Sequence, residues 1–372
     1  MKTMLVLSMG ALLLAGTLSA QTPVPEWQAG VDKVKNLIQS NPAQASEEAG
    51  ELLKGKNKKN VDLVTSVAHV YLDAGKITEA QEYLAMAKKA NNKDPKVSVL
   101  EGDIALAQKN IGQACQLYEQ AIYFDPNCKE AYLKYAQAYK SASPTQAIEK
   151  LEQLKAVDPN CLEADRELAE VYYSGNRFGK AAEMYAKFID TPLATEDDML
   201  KYAFALFLNH DFEKSLQVAQ KGLQKNARHA AFNRLVMYNN TDLKRYEDAE
   251  KAADAFFNAS DRADYSYLDY RYYGALLSAL KKYDKAIIEY GKALDKDDTQ
   301  VDLWREISDA HEMNNNYAEA IAAYRKYYDA LAKEKKTPET LFQLGRLYYG
   351  QGTSSDSLAV QPAEDRKSTR LN

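Results

Sequence analysis

Four histidines and three cysteines are scattered along the 372 residues, and their spacing decides what they can do. His311-Glu312 begins like the H-E-x-x-H helix of zinc hydrolases, in which two His one turn apart hold the metal and the Glu is the base. Asn315 stands where the second His would have to be. His69, His210 and His229 lie far apart and read as structural or surface residues. No GxxxxGK[ST] or GxGxxG loop follows a strand pattern to cradle phosphates, and no GxSxG elbow presents a nucleophilic Ser. The many acids sit three or four residues from Lys, the arrangement of solvated helix faces. The expectation is therefore a non-catalytic chain with no metal and no cofactor. Cys115, Cys128 and Cys161 form an odd set, and Cys128 and Cys161 each follow Pro-Asn in equivalent places. Such places on packed helices lie roughly 10 Å apart, beyond the reach of about 7 Å that a disulfide allows between Cα atoms. Three free thiols are expected.

Arginine is more informative. Arg166, Leu200, Arg234, Arg271 and Arg305 follow one another at intervals of 34, 34, 37 and 34. Glu170 and Asp309 stand four residues after Arg166 and Arg305, so those two are expected to pair within their own helices. Arg234 and Arg271 have no acid three or four residues away on either side. Their guanidinium groups, with Tyr238 and Tyr270 nearby, suit bidentate capture of a carboxylate or stacking on a ring.

A row of this kind needs elements that recur at the same interval. Small residues do recur: Ala80, Ala114, Ala147, Ala181, Ser215, Ala249, Ala286 and Ala320, spaced by 33 to 37. Four residues after each comes Leu84, Tyr118, Leu151, Tyr185, Ala219, Ala253, Tyr290 or Tyr324. About twelve residues before lies a second small series, Ala68, Gly102, Ala136, Ala169, Ala203, Gly274 and Ser308, broken only by Met237. Apolar residues at steps of three and four put one stripe on each of two short helices, and the small residues allow those helices to cross closely. Asp73–Lys76, Ser174–Asn176, Asn209–Asp211 and Asn314–Asn316 read as turns within pairs. Asp125-Pro126-Asn127 and Asp158-Pro159-Asn160 fall between pairs, where Pro blocks continuation and can open the next helix. Three extra residues before Ala286 predict a distorted repeat around Ala249, with 258–261 as a longer connection.

This pattern resembles the tetratricopeptide repeat family. Trp304, Ile307, Ser308, Ala320 and Tyr324 carry its motif in one repeat, and Gly102, Ala114, Tyr118, Ala121 and Pro126 in another. The resemblance implies an all-α, right-handed superhelical solenoid of helix-turn-helix repeats. It further implies a concave groove lined by the first helix of each pair, which holds a peptide or partner protein. The expected groove residues are Arg166, Arg234, Tyr238, Tyr270, Arg271 and Arg305. The family's clamp for a C-terminal carboxylate also requires Asn one turn later. Glu170, Tyr238, Ala275 and Asp309 stand there instead, so that clamp is not supported. The partner is expected to be a protein or extended peptide of unknown identity.

The two ends read differently. Lys2, the apolar run Met4–Gly16 and the small residue Ala20 make 1–20 a cleavable secretory signal, and no later stretch is long and apolar enough to span a bilayer. Export to the periplasm or the medium follows as the expectation. Residues 21–60 read as a degenerate opening pair and 61–352 as the solenoid of about eight repeats plus an unpaired last helix. Residues 353–364 read as the loop of a truncated repeat. The final eight residues, Asp365–Asn372, resemble the in-frame translation of a sequencing adapter, so the natural chain is expected to continue past about Glu364. A net charge of −5 offers no basic excess for nucleic acid. The reading is a scaffold or adaptor of the cell envelope. Two alternatives stay open: a helical glycan- or ligand-binding protein, or the regulatory repeats of an enzyme whose catalytic part is missing.

Overall fold

The computed structural model describes residues 24–260 and 264–368; for Ala259 and residues 354–368 only the backbone path is described. The expected signal peptide at 1–20 and the last four residues of the adapter-like tail lie outside the described residues. The described residues are helical, with no strand among them.

Two compact units divide the chain, Met1–Lys150 and Leu151–Asn372. The first begins with an opening pair, α1 (Gln28–Leu37) and α2 (Pro42–Leu52). Then come α3 (Val61–Asp73) with α4 (Ile77–Asn91), α5 (Pro95–Ala107) with α6 (Ile111–Phe124), and α7 (Lys129–Tyr139) followed by α8 (Pro144–Val157), in which the boundary falls. The second unit holds α9 (Leu162–Ser174) with α10 (Phe178–Phe188), and α11 (Glu196–Leu208) with α12 (Phe212–Lys225). After these come α13 (Ala230–Asp242) with α14 (Tyr246–Asp254), α15 (Tyr267–Ala279) with α16 (Tyr283–Lys296), α17 (Asp302–Met313) with α18 (Tyr317–Ala330), and finally α19 (Pro338–Ser368).

The small residues do what their spacing requires. All eight of the second-helix series, Ala80 to Ala320, are 0% exposed. Ser215 donates to the Ala203 carbonyl at 2.8 Å and Ser308 to that of Ala320 at 2.8 Å, so backbones do meet where the helices of a pair cross. Within the units α4, α6, α10, α12, α14, α16 and α18 each pack both on their own first helix and on the next one. First helices also touch one another: α3 with α5, α5 with α7, α11 with α13, α13 with α15, and α15 with α17. The first-helix side is thus continuous over α3, α5 and α7 in the first unit and over α11, α13, α15 and α17 in the second.

From α3/α4 to α17/α18 the turns inside pairs, α7/α8 excepted, share one geometry. The residue two before the second helix is left-handed at Gly75, Lys109, Asn176, His210, Lys244, Lys281 and Asn315. The following N–H bonds back five residues, as from Lys76 to Tyr71 and from Lys282 to Leu277, both at 2.8 Å. That is the Schellman closure of a helix C-terminus. Between pairs, the Asp125 and Asp158 carboxylates accept the N–H groups of Asn127 and Asn160 at 2.9 and 3.2 Å. Pro126 and Pro159 sit inside these Asx turns and do not open the next helix. Pro42, Pro95, Pro144 and Pro338 open helices instead.

The distorted repeat is also present. After Asp254 the ladder of α14 widens into a π-helix over Ala255–Ala259, which carries the additional residues and turns Phe257 toward Tyr265, Tyr270 and Tyr273. All three cysteines are free, and burial pushes the Cys115 thiol up to about 12.

Candidate partner-binding face

The phased arginines lie on successive first helices of the second unit, but they do not pair as their own helices suggest. Arg166, on α9, donates from Nε to Asp198 at 3.0 Å, on the next first helix. Glu170, its expected partner, accepts the Tyr185 hydroxyl and Lys201 Nζ, each at 2.9 Å. Arg234, on α13, donates from Nε and Nη2 to Asp269 at 2.7 and 3.2 Å, and from Nη2 to the Asp264 carbonyl at 3.1 Å. Arg271, on α15, donates through Nε and Nη2 to Glu306 at 2.9 and 2.6 Å. Arg305, on α17, is exposed and forms no ion pair among the described residues; its guanidinium lies 5.9 Å from the ring centre of Tyr327. Each paired arginine therefore reaches forward by one repeat, over 32 or 35 residues.

Two of the acceptors are built the same way. Asp198 is the third residue of α11, and its carboxylate accepts the N–H of the cap residue Thr195, whose hydroxyl accepts the N–H of Asp198. Asp269 and Ser266 repeat the arrangement at α15. Such a capping box fixes the carboxylate at the helix start, where the helix dipole favours it. The arginine of the preceding first helix then completes its set of donors. The sequence carries this signal as [ST]-x-x-D, 32 to 35 residues after an Arg. A search confined to neighbours within one helix misses it.

Two expected contact residues have partners inside the chain. Tyr238 is buried, with its hydroxyl on Asp269 at 2.8 Å and its ring stacked on Tyr272 at 4.0 Å. Burial and the adjacent Asp269 raise its hydroxyl pKa, so it stays protonated and donating. Tyr270 stacks on Phe257 at 5.6 Å, with Lys292 Nζ 5.8 Å from its ring centre. Arg234 itself is held by Asp269. The bidentate capture expected of Arg234 and Arg271 is therefore made within the chain, by Asp269 and Glu306.

The first unit presents a different set on its first helices. His69 on α3 and Lys134 on α7 both lie against Asp103 on α5, at 2.9 and 3.0 Å, and the Tyr118 hydroxyl donates to it at 2.8 Å. Beside them opens a cleft of about 300 Å³ that Trp27, Asp62, Lys96 and Glu130 help to line. Burial lowers the pKa of His311, and the described residues hold no group of three or more candidate metal ligands. No described helix is long and apolar enough to cross a membrane.

The family model described as "Tetratricopeptide repeat" matches residues 68–128, 136–193 and 274–335, each spanning the small-residue positions of consecutive helices. The chain is a tetratricopeptide-repeat protein. The stretch that this repeat model leaves unmatched between 193 and 274 holds Met237, Ala253 and the π-helix, the departures from the motif. A comparison with curated proteins finds no match. Among solved structures, the chain is similar to a tetratricopeptide repeat protein from Parabacteroides merdae, at 14% identity over 67% of this chain and 98% of that one, with a TM-score of 0.41. It is also similar to the C-terminal part of a TPR repeat-containing protein from Cytophaga hutchinsonii (16% identity, 62% and 96% covered, TM-score 0.48). A third is PilW, a type IV pilus biogenesis factor (17% identity, 54% and 92% covered, TM-score 0.43).

Proposed function

We propose that this tetratricopeptide-repeat protein is an exported, non-catalytic scaffold of the cell envelope, holding an acidic or extended segment of a protein partner against its first helices. Export rests on the secretory pattern of residues 1–20. The observation that carries the binding reading is the row at one helical phase. Arg166 and Arg271 keep 35% and 38% of their side chains exposed while held by the next repeat, and Arg305 is open. A guanidinium has five donors and these ion pairs use only one or two of them, which leaves further N–H groups for a partner's carboxylate. Arg234 and Tyr238 are held by Asp269 within the chain, and Tyr270 stacks on Phe257.

Charge reversal at Arg234 would drive a carboxylate against Asp269 and would test folding instead of binding. The discriminating variants are Arg305→Glu and the neutral Arg271→Gln. Lys285→Glu and Lys292→Glu, exposed on α16, serve as controls. With the tagged chain as bait in envelope extracts, partners that both controls capture are expected to be lost by Arg305→Glu and weakened by Arg271→Gln. Retention of every such partner by the first-helix variants would remove the arginine row from the binding surface.

A further inference from the structure

Positive charge gathers at one edge of the first unit, against the balance of the chain. The net charge is −5, yet residues 52–60 and 85–93 hold seven lysines and no Asp or Glu. The fold brings these two stretches together. The first connects α2 to α3 and contains a 3-10 turn, Asn57–Lys59, that packs on both α3 and α4. The second is the end of α4 and its link to α5. Lys54 and Lys88 are taken by Glu51 and Glu101. Lys56, Lys58, Lys59, Lys89 and Lys93 are exposed and form no ion pair among the described residues. The acids next along the chain are engaged: Asp62 holds Lys96, and Asp94 accepts the Lys96 N–H at 3.1 Å at the start of α5.

An exposed aromatic side chain continues this edge into the next repeat. Lys89 stands nine residues after the buried Ala80, and Tyr123 stands nine after the buried Ala114. The two therefore hold the same position on successive second helices, α4 and α6. Tyr123 is 83% exposed, and its ring lies against Phe124 with 5.9 Å between centres. Lysines and an open tyrosine thus share one edge of the unit, on the side of the connections between pairs.

We infer that this edge docks on an anionic phospholipid surface, the five lysines meeting headgroup phosphates and the Tyr123 ring entering the interface. Three features select a bilayer over an acidic protein. The cations are all lysines, compact point charges on flexible stems, whereas a single carboxylate is better held by the fork of an arginine. No side-chain partner fixes any of the five, which suits the spread charge of a lipid surface, where each lysine strengthens binding about fivefold. Tyrosine, with an apolar body and a wet end, is a residue type that sits at headgroup depth. The edge uses no residue of the arginine row, so its failure leaves the proposed function standing.

The test is co-sedimentation of the full chain with sucrose-loaded vesicles of equal parts phosphatidylglycerol and phosphatidylcholine, at low salt. Binding is expected to these vesicles and not to phosphatidylcholine alone. Partitioning should fall at least about tenfold for the chain carrying Lys56→Gln, Lys58→Gln and Lys59→Gln together, and as much for Lys89→Gln with Lys93→Gln. Tyr123→Ser should weaken it several-fold while keeping the parent's salt dependence, since no charge is removed. All six side chains are exposed, and circular dichroism checks that helicity is kept. Lys285→Gln with Lys292→Gln, on α16, should bind like the parent. Absence of binding, equal binding to phosphatidylcholine alone, retained binding by the glutamine variants or by Tyr123→Ser, or an equal loss in the α16 pair overturns the inference. So does soluble polyglutamate that binds as tightly per charge as the vesicles, because the occupant would then be an acidic polypeptide.

Discussion

Burial alone would raise the Asp103 carboxyl, yet its pKa lies below the ordinary value because His69, Lys134 and Tyr118 all favour the ionised form. A carboxyl whose pKa is lowered by folding contributes stability above its unfolded pKa, and that contribution is lost as pH falls through the folded value. Asp103→Asn removes the charge and keeps the shape. Between about pH 5 and about pH 3 the parent chain should therefore lose urea resistance more steeply than Asp103→Asn, the other carboxylates being common to both. Parallel slopes would mean that the three donors do not hold the carboxylate. The sequence marked His69 as a structural or surface residue. It hid Asp103 and Lys134, because the three residues come together only when α3, α5 and α7 stack. The same is true of Arg234 and Asp269: each type was visible, but partnership over 35 residues depends on the stacking register.

At the scale of elements, helices and their crossings were legible because burial imposes periodicity, and every member of the second-helix small series is fully buried. Turns were legible only where the residue type announces them. Gly75, Asn176 and Asn315 do; Lys109, Lys244 and Lys281 do not, although all six adopt the left-handed backbone. A lysine there is held by the Schellman bonds against a steric preference of about 1–2 kcal/mol, part of which Gly gives back through its freer unfolded chain. Lys281→Gly should therefore stabilise the chain by up to about 1 kcal/mol, read from the denaturation midpoint at unchanged m-value. The same change at exposed Lys285, inside α16, should destabilise by about as much. If both changes act in the same direction, the turn geometry is not what limits stability there. The π-helix was legible only as an excess of three residues. Its position at Ala255–Ala259 follows from Phe257, whose ring is in contact with Tyr265, Tyr270 and Tyr273.

At the scale of the array, stability is close to a sum of repeat terms and nearest-neighbour interfaces. In the second unit those interfaces are stitched by ion pairs one repeat apart, among them Arg166–Asp198, Lys201–Glu170, Arg271–Glu306 and Arg346–Glu312. Lys201–Glu170, Arg271–Glu306 and Arg346–Glu312 keep both partners partly exposed and contribute about 0–1 kcal/mol each. Asp198 and Asp269 are buried instead, and Asp269 holds the larger set of donors. It is 0% exposed and its carboxylate accepts from Arg234, from the Tyr238 hydroxyl, and from the backbone and hydroxyl of Ser266. It also joins α13 to α15 beside the π-helix, where the regular packing of α14 is interrupted. Removing it leaves Arg234 and Tyr238 without their shared acceptor, a loss on the order of 3–5 kcal/mol for a buried pair broken from one side. Because that loss falls on a single interface, it should do more than lower the midpoint. Asp269→Ala is expected to let α15–α18 lose hydrogen-exchange protection at a lower urea concentration than α9–α12, whereas the parent unit loses both together. Glu306→Ala, at the next interface, should shift both by about 1 kcal/mol without separating them. If the two groups of helices keep a common midpoint in Asp269→Ala, the Arg234–Asp269 cluster is not what couples the repeats on either side of the π-helix.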